Sequence, residues 1–403
     1  MTSNVSSSPC YSSPAIIPDC RLFSGYKPCV PYKLCAGCQD RIAMGTRILI
    51  VNLDALGTVL ATTAQLPALK RAYPDCHITW ITRPNAVPLL QHNPFIDHLV
   101  EWNEENRMVL LQQRFEIALN ADKSRPAAAF MNLVQAAGKR GFGLNENGAI
   151  VPLNAGAEYS YRLGIDDHFK FRENRRTGND ILAQTWELEY RRDEYVLHLT
   201  AEEQAATARW RRELGLQEAE LVIGFNTGCS TLFPLKKLEL ETQAAAIRQL
   251  ATELPRARII LLGGREDTER NQRLAALCDG LALPTPTTLG LRQGIVLENL
   301  ADIVVSGDSL GMHLAIGLKK HVVAWFGLSC AAEIDLYDRG VKIIRELPCA
   351  PCWKKACDLP HGPICVTEFQ PEWIVAGVHE ARRQLARHMP ARRPVSQGVP
   401  PAL

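Results

Sequence analysis

Two stretches of the chain alternate between short, continuous apolar runs and helical segments, and this pattern restricts the fold more than any other feature. The first passes through RILIVNL, a helical stretch TVLATTAQLPALKRAY, HITWITR, the short helix NAVPLLQHN, IDHLVEW, a helix near NRMVLLQQR, and FEIALNAD. The second begins at ELVIGFNTG and continues through ARIILLGG, ADIVVSGD, HVVAWFG and VKIIREL. Runs rich in Ile, Val and Leu that do not alternate with polar residues suit strands covered on both faces. Helices between such strands imply right-handed crossovers and a parallel sheet. A chain of 403 residues exceeds what one core supports. The expectation is therefore an α/β protein with two open parallel sheets facing across a cleft.

The remaining segments set the boundaries. Residues 1–44 combine a Ser- and Pro-rich start, expected to be disordered to residue 19, with a cysteine-rich loop from Cys20. Residues 45–200 hold the first series, ending in a polar and aromatic bridge from about Asn145, and residues 201–345 hold the second. Residues 346–368 form a second cysteine segment, and residues 369–403 a closing amphipathic helix and a loose Pro-rich tail. With 45 basic and 43 acidic side chains, the formal charge of +2 points to no nucleic acid and no anionic surface. There is no apolar run of membrane-spanning length, and the start MTSNVSSSPCYSSP lacks the charged and apolar regions of a signal peptide. A cytoplasmic location is expected.

Thirteen cysteines in a reducing compartment call for burial, catalysis or metal ligation rather than disulfides. Cys76, Cys229, Cys278 and Cys330 are scattered and read as small buried hydrophobes. Eight others form two quartets. Cys20, Cys29, Cys35 and Cys38 follow C-x8-C-x5-C-x2-C, and Cys349, Cys352, Cys357 and Cys365 follow C-x2-C-x4-C-x7-C. A C-x2-C pair grips one metal from a tight turn, and two further thiolates complete a closed, structural tetrahedron. Zinc, iron or an iron–sulfur cluster would suit such a set. The spacing leaves open whether the quartets form two sites or one.

Ligands of open α/β sheets bind at the carboxyl ends of strands, where helix N-termini offer N–H donors. Three strand ends of the second series carry suitable groups. Asn226, Thr227 and Gly228 can expose backbone N–H groups, with Lys236 or Lys237 in reach of an anion. Glu266 is placed to accept from a ribose. Asp308 and Ser309 open a helix in which Gly311 permits close approach and His313 follows one turn in. Each taken singly has an ordinary structural role as a cap, a solvated face or a core histidine. Together they favour a nucleotide.

RILIVNLDALGTVLATTAQLPALKRAYP and, more specifically, VVSGDSLGMHLAIGLKKHVVAWFG resemble the heptosyltransferase family of glycosyltransferases, over roughly residues 47–385. The resemblance implies the GT-B fold, two Rossmann-like domains, and inverting transfer of a sugar, typically heptose from ADP-heptose. The donor would sit on the C-terminal domain and the acceptor hydroxyl on the N-terminal one. It implies no catalytic metal: Lys236, Lys237 and the backbone at Ser309, Leu310 and Gly311 would hold the diphosphate, and Glu266 the ribose. Cysteine-held iron in some relatives that modify protein hydroxyls brings a Ser/Thr acceptor beside lipopolysaccharide core and other surface glycans. A lipid-linked acceptor would require peripheral contact with the inner membrane. A cysteine finger could also serve a homo-oligomer.

One departure bears on mechanism. The glycine of the first strand-to-helix turn is commonly followed in the family by an Asp that serves as general base, and here that position is Thr58. A threonine hydroxyl cannot take up a proton at neutral pH. Asp122, at the end of FEIALNAD, is the favoured substitute, with Lys123 beside it to keep it ionised, and Asp54 is the reserve. Lys123, Arg125, Lys139 and Arg140 would suit acidic groups on an acceptor. The rival reading is a non-catalytic nucleotide-sugar binder or metal-dependent scaffold. A sugar-nucleotide epimerase of similar architecture would need further acidic and histidine groups that the sequence does not display.

Overall fold

The computed structural model describes residues 19–23, 25–229 and 232–388. The disorder expected for the first 18 residues, and the loose tail after Pro390, lie outside them. The first sheet contains β1 (Arg47–Val51), β2 (His77–Thr82), β3 (His98–Glu101), β4 (Arg114–Asn120) and β5 (Gln135–Arg140), in the order β3-β2-β1-β4-β5. A short antiparallel hairpin of β6 (Phe142–Leu144) and β7 (Ile150–Pro152) follows. The second sheet contains β8 (Leu221–Asn226), β9 (Ala257–Leu262), β10 (Ala282–Pro284), β11 (Ile303–Gly307), β12 (His321–Phe326) and β13 (Gly340–Ile344), in the order β10-β9-β8-β11-β12-β13. Every pairing in both large sheets is parallel. This is the expected α/β architecture of GT-B type.

The apolar runs are continuous because both faces of each sheet are covered. In β1, Ile48 and Ile50 pack into one core while Leu49 and Val51 pack into another, all four with no exposed surface. In β8, Ile223 and Phe225 face one core and Val222 the opposite one. Each such side chain stabilises the fold by about 1.5–3 kcal/mol relative to exposure. Two strands that the apolar pattern did not reveal, β5 and β10, lie at sheet edges. Edge strands need only one partner and tolerate polar side chains or, as at Pro284, a missing N–H.

Strand order reverses between β1 and β4 in the first sheet and between β8 and β11 in the second. A crevice opens at the carboxyl ends of strands at such switch points. Two crevices therefore face each other. Helix Leu56–Thr62, which follows β1, and helix Leu310–Gly317, which follows β11, meet at Gly57, where a Cβ would stand 2.4 Å from His313 Cδ2.

The chain passes from one core to the other between Leu188, packed in the first domain, and Tyr195, packed in the second. Helix Ala201–Glu213 then opens with a capping box of Thr200 and Glu203. The closing helix Pro371–His388 buries Ile374, Val375, Val378 and Ala381 in the core of the second domain. Among the described residues no helix is long and apolar enough to cross a membrane.

Ion pairs pin the domains together. Arg192 chelates Asp335 at 2.7 and 2.8 Å and Asp338 at 2.6 and 3.1 Å. Arg292 pairs with Glu203 and donates to the carbonyls of Pro88, at 3.1 Å in the first domain, and His198, at 2.9 Å. The Arg292 and Glu203 side chains are each 15% exposed. Arg292→Ala would strand a half-buried carboxylate and two carbonyls, and should cost about 2–4 kcal/mol of stability. A denaturant titration of wild type and variant checks this, and a loss below about 0.5 kcal/mol would refute the pinning role.

Candidate active site

On the first-domain side, adjacent strands β1 and β4 end together, with Val51 opposite Asn120. Asp122, two residues beyond β4, is thereby set against the turn that follows β1. Its Oδ1 accepts from Asn52 Nδ2 at 2.7 Å, and its Oδ2 accepts from the backbone N–H groups of Leu53 and Asp54. The residue is 4% exposed and lines the cleft. Burial pushes its carboxyl up to about 7; the bonds from Leu53 and Asn52 oppose this, and the charge of Asp54 adds to it. Asp54 lines the same cleft but is half exposed and held by Arg83, with Arg83 Nε 2.9 Å from Oδ1. Thr58 also lines the cleft.

The expectation that Lys123 keeps Asp122 ionised is corrected by the structure. Chain neighbours past a strand end diverge, and Lys123 Nζ turns to the carbonyl of Ser160 and the face of Phe142, 5.4 Å from its centroid. Burial, with a contribution from Lys170, brings its amine down to about 8, and Glu333 opposes the shift. Asp122 is not among the groups that tune it.

On the second-domain side, Asn226 at the end of β8 bridges the turn after β11. Its Nδ2 donates to Ser306 Oγ at 3.0 Å and to Ser309 Oγ at 2.7 Å. Ser309 occupies the cap position of helix Leu310–Gly317 but its side chain caps nothing, so the first-turn N–H groups, including those of Leu310 and Gly311, are not met by it. Gly311 is required because a Cβ there would stand 2.4 Å from Asn226 Cγ. Lys236 Nζ lies beside this helix end, 2.7 Å from Asp308 Oδ2. Burial works against the charge of Asp308, yet Lys236 and His313 outweigh it and hold the carboxyl below its usual range. Such a helix end beside a lysine suits an anion.

His313 is the point where the two sides touch. Burial brings its imidazole down to about 4, against the pull of Asp308, so the ring is neutral at physiological pH. Its Nδ1 lies 3.2 Å from Tyr195 Oη, and the two rings stack at 5.9 Å. The outer donor residues are placed less centrally. Thr227 is buried, with its hydroxyl donating to Asn271 Oδ1, which leaves its backbone as the group for a ligand. Gly228 packs on Asp267, where a Cβ would stand 1.7 Å from Oδ1, and Lys237 faces that same carboxylate. Glu266 stands exposed just beyond the end of β9.

A cavity of about 360 Å³ joins the two sides, lined by Asp54, Thr58 and Asp122 from one domain and Asp308 and His313 from the other. It also includes groups that no strand-end pattern marks. Glu333, beyond β12, has its carboxyl pushed up by burial, while Lys170 and Lys123 oppose. Lys170 comes from the bridge and Trp353 from the second cysteine segment. A tryptophan lodged between two cysteines of a metal-like spacing was the one available clue.

The scattered cysteines are buried as expected: Cys76, Cys229, Cys278 and Cys330 are each less than a tenth exposed. Cys20, Cys29, Cys35 and Cys38 line one cavity of about 20 Å³. The Cys20 thiol is brought below its ordinary value by backbone bonding at Ile42 and then Leu22, with burial opposing. In the second quartet, burial and then the charges of Cys352, Cys349 and Cys357 push the Cys365 thiol up. Among the described residues, however, no three His, Cys, Asp or Glu side chains stand arranged as a bound ion would hold them.

Comparison with known proteins agrees with this architecture. The sequence model of glycosyltransferase family 9 (heptosyltransferase) matches residues 107–362, more than half of the chain. A family 9 glycosyl transferase from Veillonella parvula aligns over 85% of this chain and 97% of its own, with a TM-score of 0.63 and 17% identity. The ADP-heptose lipopolysaccharide heptosyltransferase II of E. coli aligns over 85% and 99%, with a TM-score of 0.59 and 16% identity. The dodecameric iron-containing heptosyltransferase TibC, known from enterotoxigenic E. coli, aligns over 86% and 79%, with a TM-score of 0.52 and 10% identity. No curated protein sequence matches. With its residues 107–362 matching the family model and two parallel sheets opposed across a cleft, the chain belongs to glycosyltransferase family 9, the heptosyltransferase family.

Proposed function

We propose that the protein is an inverting transferase that moves a sugar, heptose from ADP-heptose being the first expectation, onto an acceptor hydroxyl. The observation that carries this reading is the single cavity in which Asp122 on one domain faces the Asp308 and His313 end of the other. A diphosphate would lie at the N-terminus of helix Leu310–Gly317 with Lys236 beside it, and Glu266, Asn226, Thr227, Gly228 and Lys237 would border the nucleotide. The acceptor oxygen attacks the anomeric carbon from the first-domain side as Asp122 takes its proton, and the sugar–phosphate bond breaks with its electron pair passing to the nucleoside diphosphate. Positive charge at the helix end and Lys236 stabilises that leaving group. The names of the relatives support the donor: one is an ADP-heptose lipopolysaccharide heptosyltransferase, and TibC is seen in complex with ADP-D-beta-D-heptose. A bacterial surface glycan, lipopolysaccharide core or a protein Ser/Thr supplies the hydroxyl. A peripheral position at the inner membrane would serve the lipid-linked case.

The same reading includes structural zinc or iron held by the two cysteine quartets. Four thiolates leave no place for substrate, and a metal bound there supplies cross-links. The N-terminal loop needs such a link. It is built of turns, with Leu22, Tyr26, Val30, Tyr32, Leu34 and Ile42 all exposed. TibC, described as iron-containing and dodecameric, supports both a metal and self-association. The rival scaffold reading draws on Thr58 and on the three donors that already hold Asp122.

Three outcomes follow. Asp122→Asn should lower kcat by about 10²–10⁴-fold while ADP affinity measured by calorimetry stays within about twofold; a binder with no turnover in wild type or variant would instead be a scaffold. Because the Asp122 carboxyl titrates near 7 and only its ionised form accepts a proton, kcat/KM should rise with pH and level off above about 7. Below that it should fall by about tenfold per pH unit, and a flat profile from pH 5.5 to 8 would exclude Asp122 as the base. Metal analysis of the purified chain should find bound zinc or iron that is released on thiol titration with a mercurial, with a lower melting temperature. Metal-free protein with an unchanged melt would exclude the structural metal.

A further inference from the structure

One side chain at the seam between the domains is committed to His313. Tyr195, where the chain enters the second core, is 4% exposed. Its hydroxyl has a single hydrogen-bond neighbour among the described residues, His313 Nδ1 at 3.2 Å. The phenol is held in place from several directions. Its ring meets Tyr337 edge-on at 6.0 Å, and the Tyr337 hydroxyl donates to the carbonyl of Asp193 at 3.0 Å and accepts from Asn179 Nδ2 at 3.0 Å. The Tyr195 carbonyl accepts from Lys319 Nζ at 2.8 Å, and the next N–H, that of Val196, donates to Thr63 Oγ1 of the first domain at 2.9 Å. Ring and backbone are thus pinned against both domains, with the hydroxyl directed at the imidazole.

A neutral imidazole holds one proton, and the bond made by one nitrogen decides whether the other carries it. Two arrangements fit the 3.2 Å contact. If Nδ1 held the proton it would donate to the phenol oxygen, and the phenolic O–H would be buried without an acceptor, which is costly. If the phenol donates to Nδ1, both groups are satisfied and the imidazole proton sits on Nε2. Burial keeps the phenol protonated and the imidazole neutral, so a charged alternative does not compete. Nε2 lies on the ring edge that faces the turn after β1, where a Cβ on Gly57 would stand 2.9 Å from it. Among the described residues no group bonds to Nε2, and His313 is partly exposed to the cleft that it lines.

We propose that Tyr195 is a positioning residue: by donating to Nδ1 it keeps the His313 proton on Nε2, so that an N–H and not a lone pair faces the oxygens of the bound sugar diphosphate. A lone pair there would repel the negative charge that gathers on the diphosphate as the sugar leaves, whereas an N–H stabilises it. The proposal rests on the sugar-transfer reading of the cleft and deepens it, because it gives a part in donor activation to a residue that acts only through His313.

Tyr195→Phe in the full chain keeps the ring and its packing and removes only the hydroxyl. With the imidazole nitrogens isotopically labelled, and the His313 signals assigned by their loss in His313→Gln, magnetic resonance of wild type should show Nε2 protonated and Nδ1 bare. Saturating ADP should shift the Nε2 signal. In Tyr195→Phe both tautomers should appear, kcat for turnover of ADP-heptose should fall by about tenfold, and donor KM should stay within about twofold. Wild type with the proton on Nδ1 overturns the proposal, as does an Nε2 signal that bound ADP leaves unmoved. So does a tautomer or a kcat in Tyr195→Phe equal to that of wild type; a lower melting temperature with an unaltered tautomer marks a structural role alone. Tautomers that change in Tyr195→Phe and a signal that responds to ADP, without transfer from any nucleotide sugar, support the proposal and overturn the transfer reading. Wild type that binds no ADP overturns both.

Discussion

The site depends on how closely two helices from different domains approach. Helix Leu56–Thr62 and helix Leu310–Gly317 meet where Gly57 lies under the imidazole of His313, with a Cβ excluded by a 2.4 Å contact. This contact brings the switch point of one sheet over the switch point of the other, so that the groups at the ends of β4 and β11 share one cavity. The bidentate pairs of Arg192 and the multiple bonds of Arg292 hold the same arrangement from further out.

Closeness also sets the electrostatics. Excluding water from the seam raises the cost of every charge placed there, and the side chains respond in the direction their chemistry dictates. The Asp122 carboxyl moves up to about 7, the His313 imidazole down to about 4, and the Lys123 amine down to about 8. Asp308 is the counterexample, held ionised by Lys236 at 2.7 Å despite burial. The first-domain wall therefore carries a group that can change its proton near neutral pH. The second-domain wall carries a fixed ion pair beside a helix end. That division of labour suits proton removal on one side and a permanent anion on the other.

Much of this was legible in the order of residues. Continuous apolar runs located the central strands because those strands are covered on both faces, and the same reason hid β5 and β10, which are edges with one partner each. Asp308, Ser309, Gly311 and Asn226 were legible because tight strand-to-helix turns use few residue types at short spacings. Lys170, Glu333 and Trp353 were not. They come from the bridge, from the loop after β12 and from a cysteine segment, and no local periodicity relates them. The role assigned to Lys123 was misread for a related reason: adjacency along the chain at Asp122 says nothing about where two side chains point once a strand has ended.

By itself the sequence determined the fold class, the division into two parallel sheets and the list of strand ends able to carry chemistry, because all three follow from local composition and hydrophobic period. The tertiary structure alone decided which of those groups meet. Asp122 meets the turn that carries Thr58 because β4 lies beside β1 and brings it against the residues after that strand. Trp353 enters the cleft because Leu328 and Arg172 seat its loop between the domains. Such meetings are set by long-range packing and by the dielectric it creates, and neither is a property of any short stretch of residues.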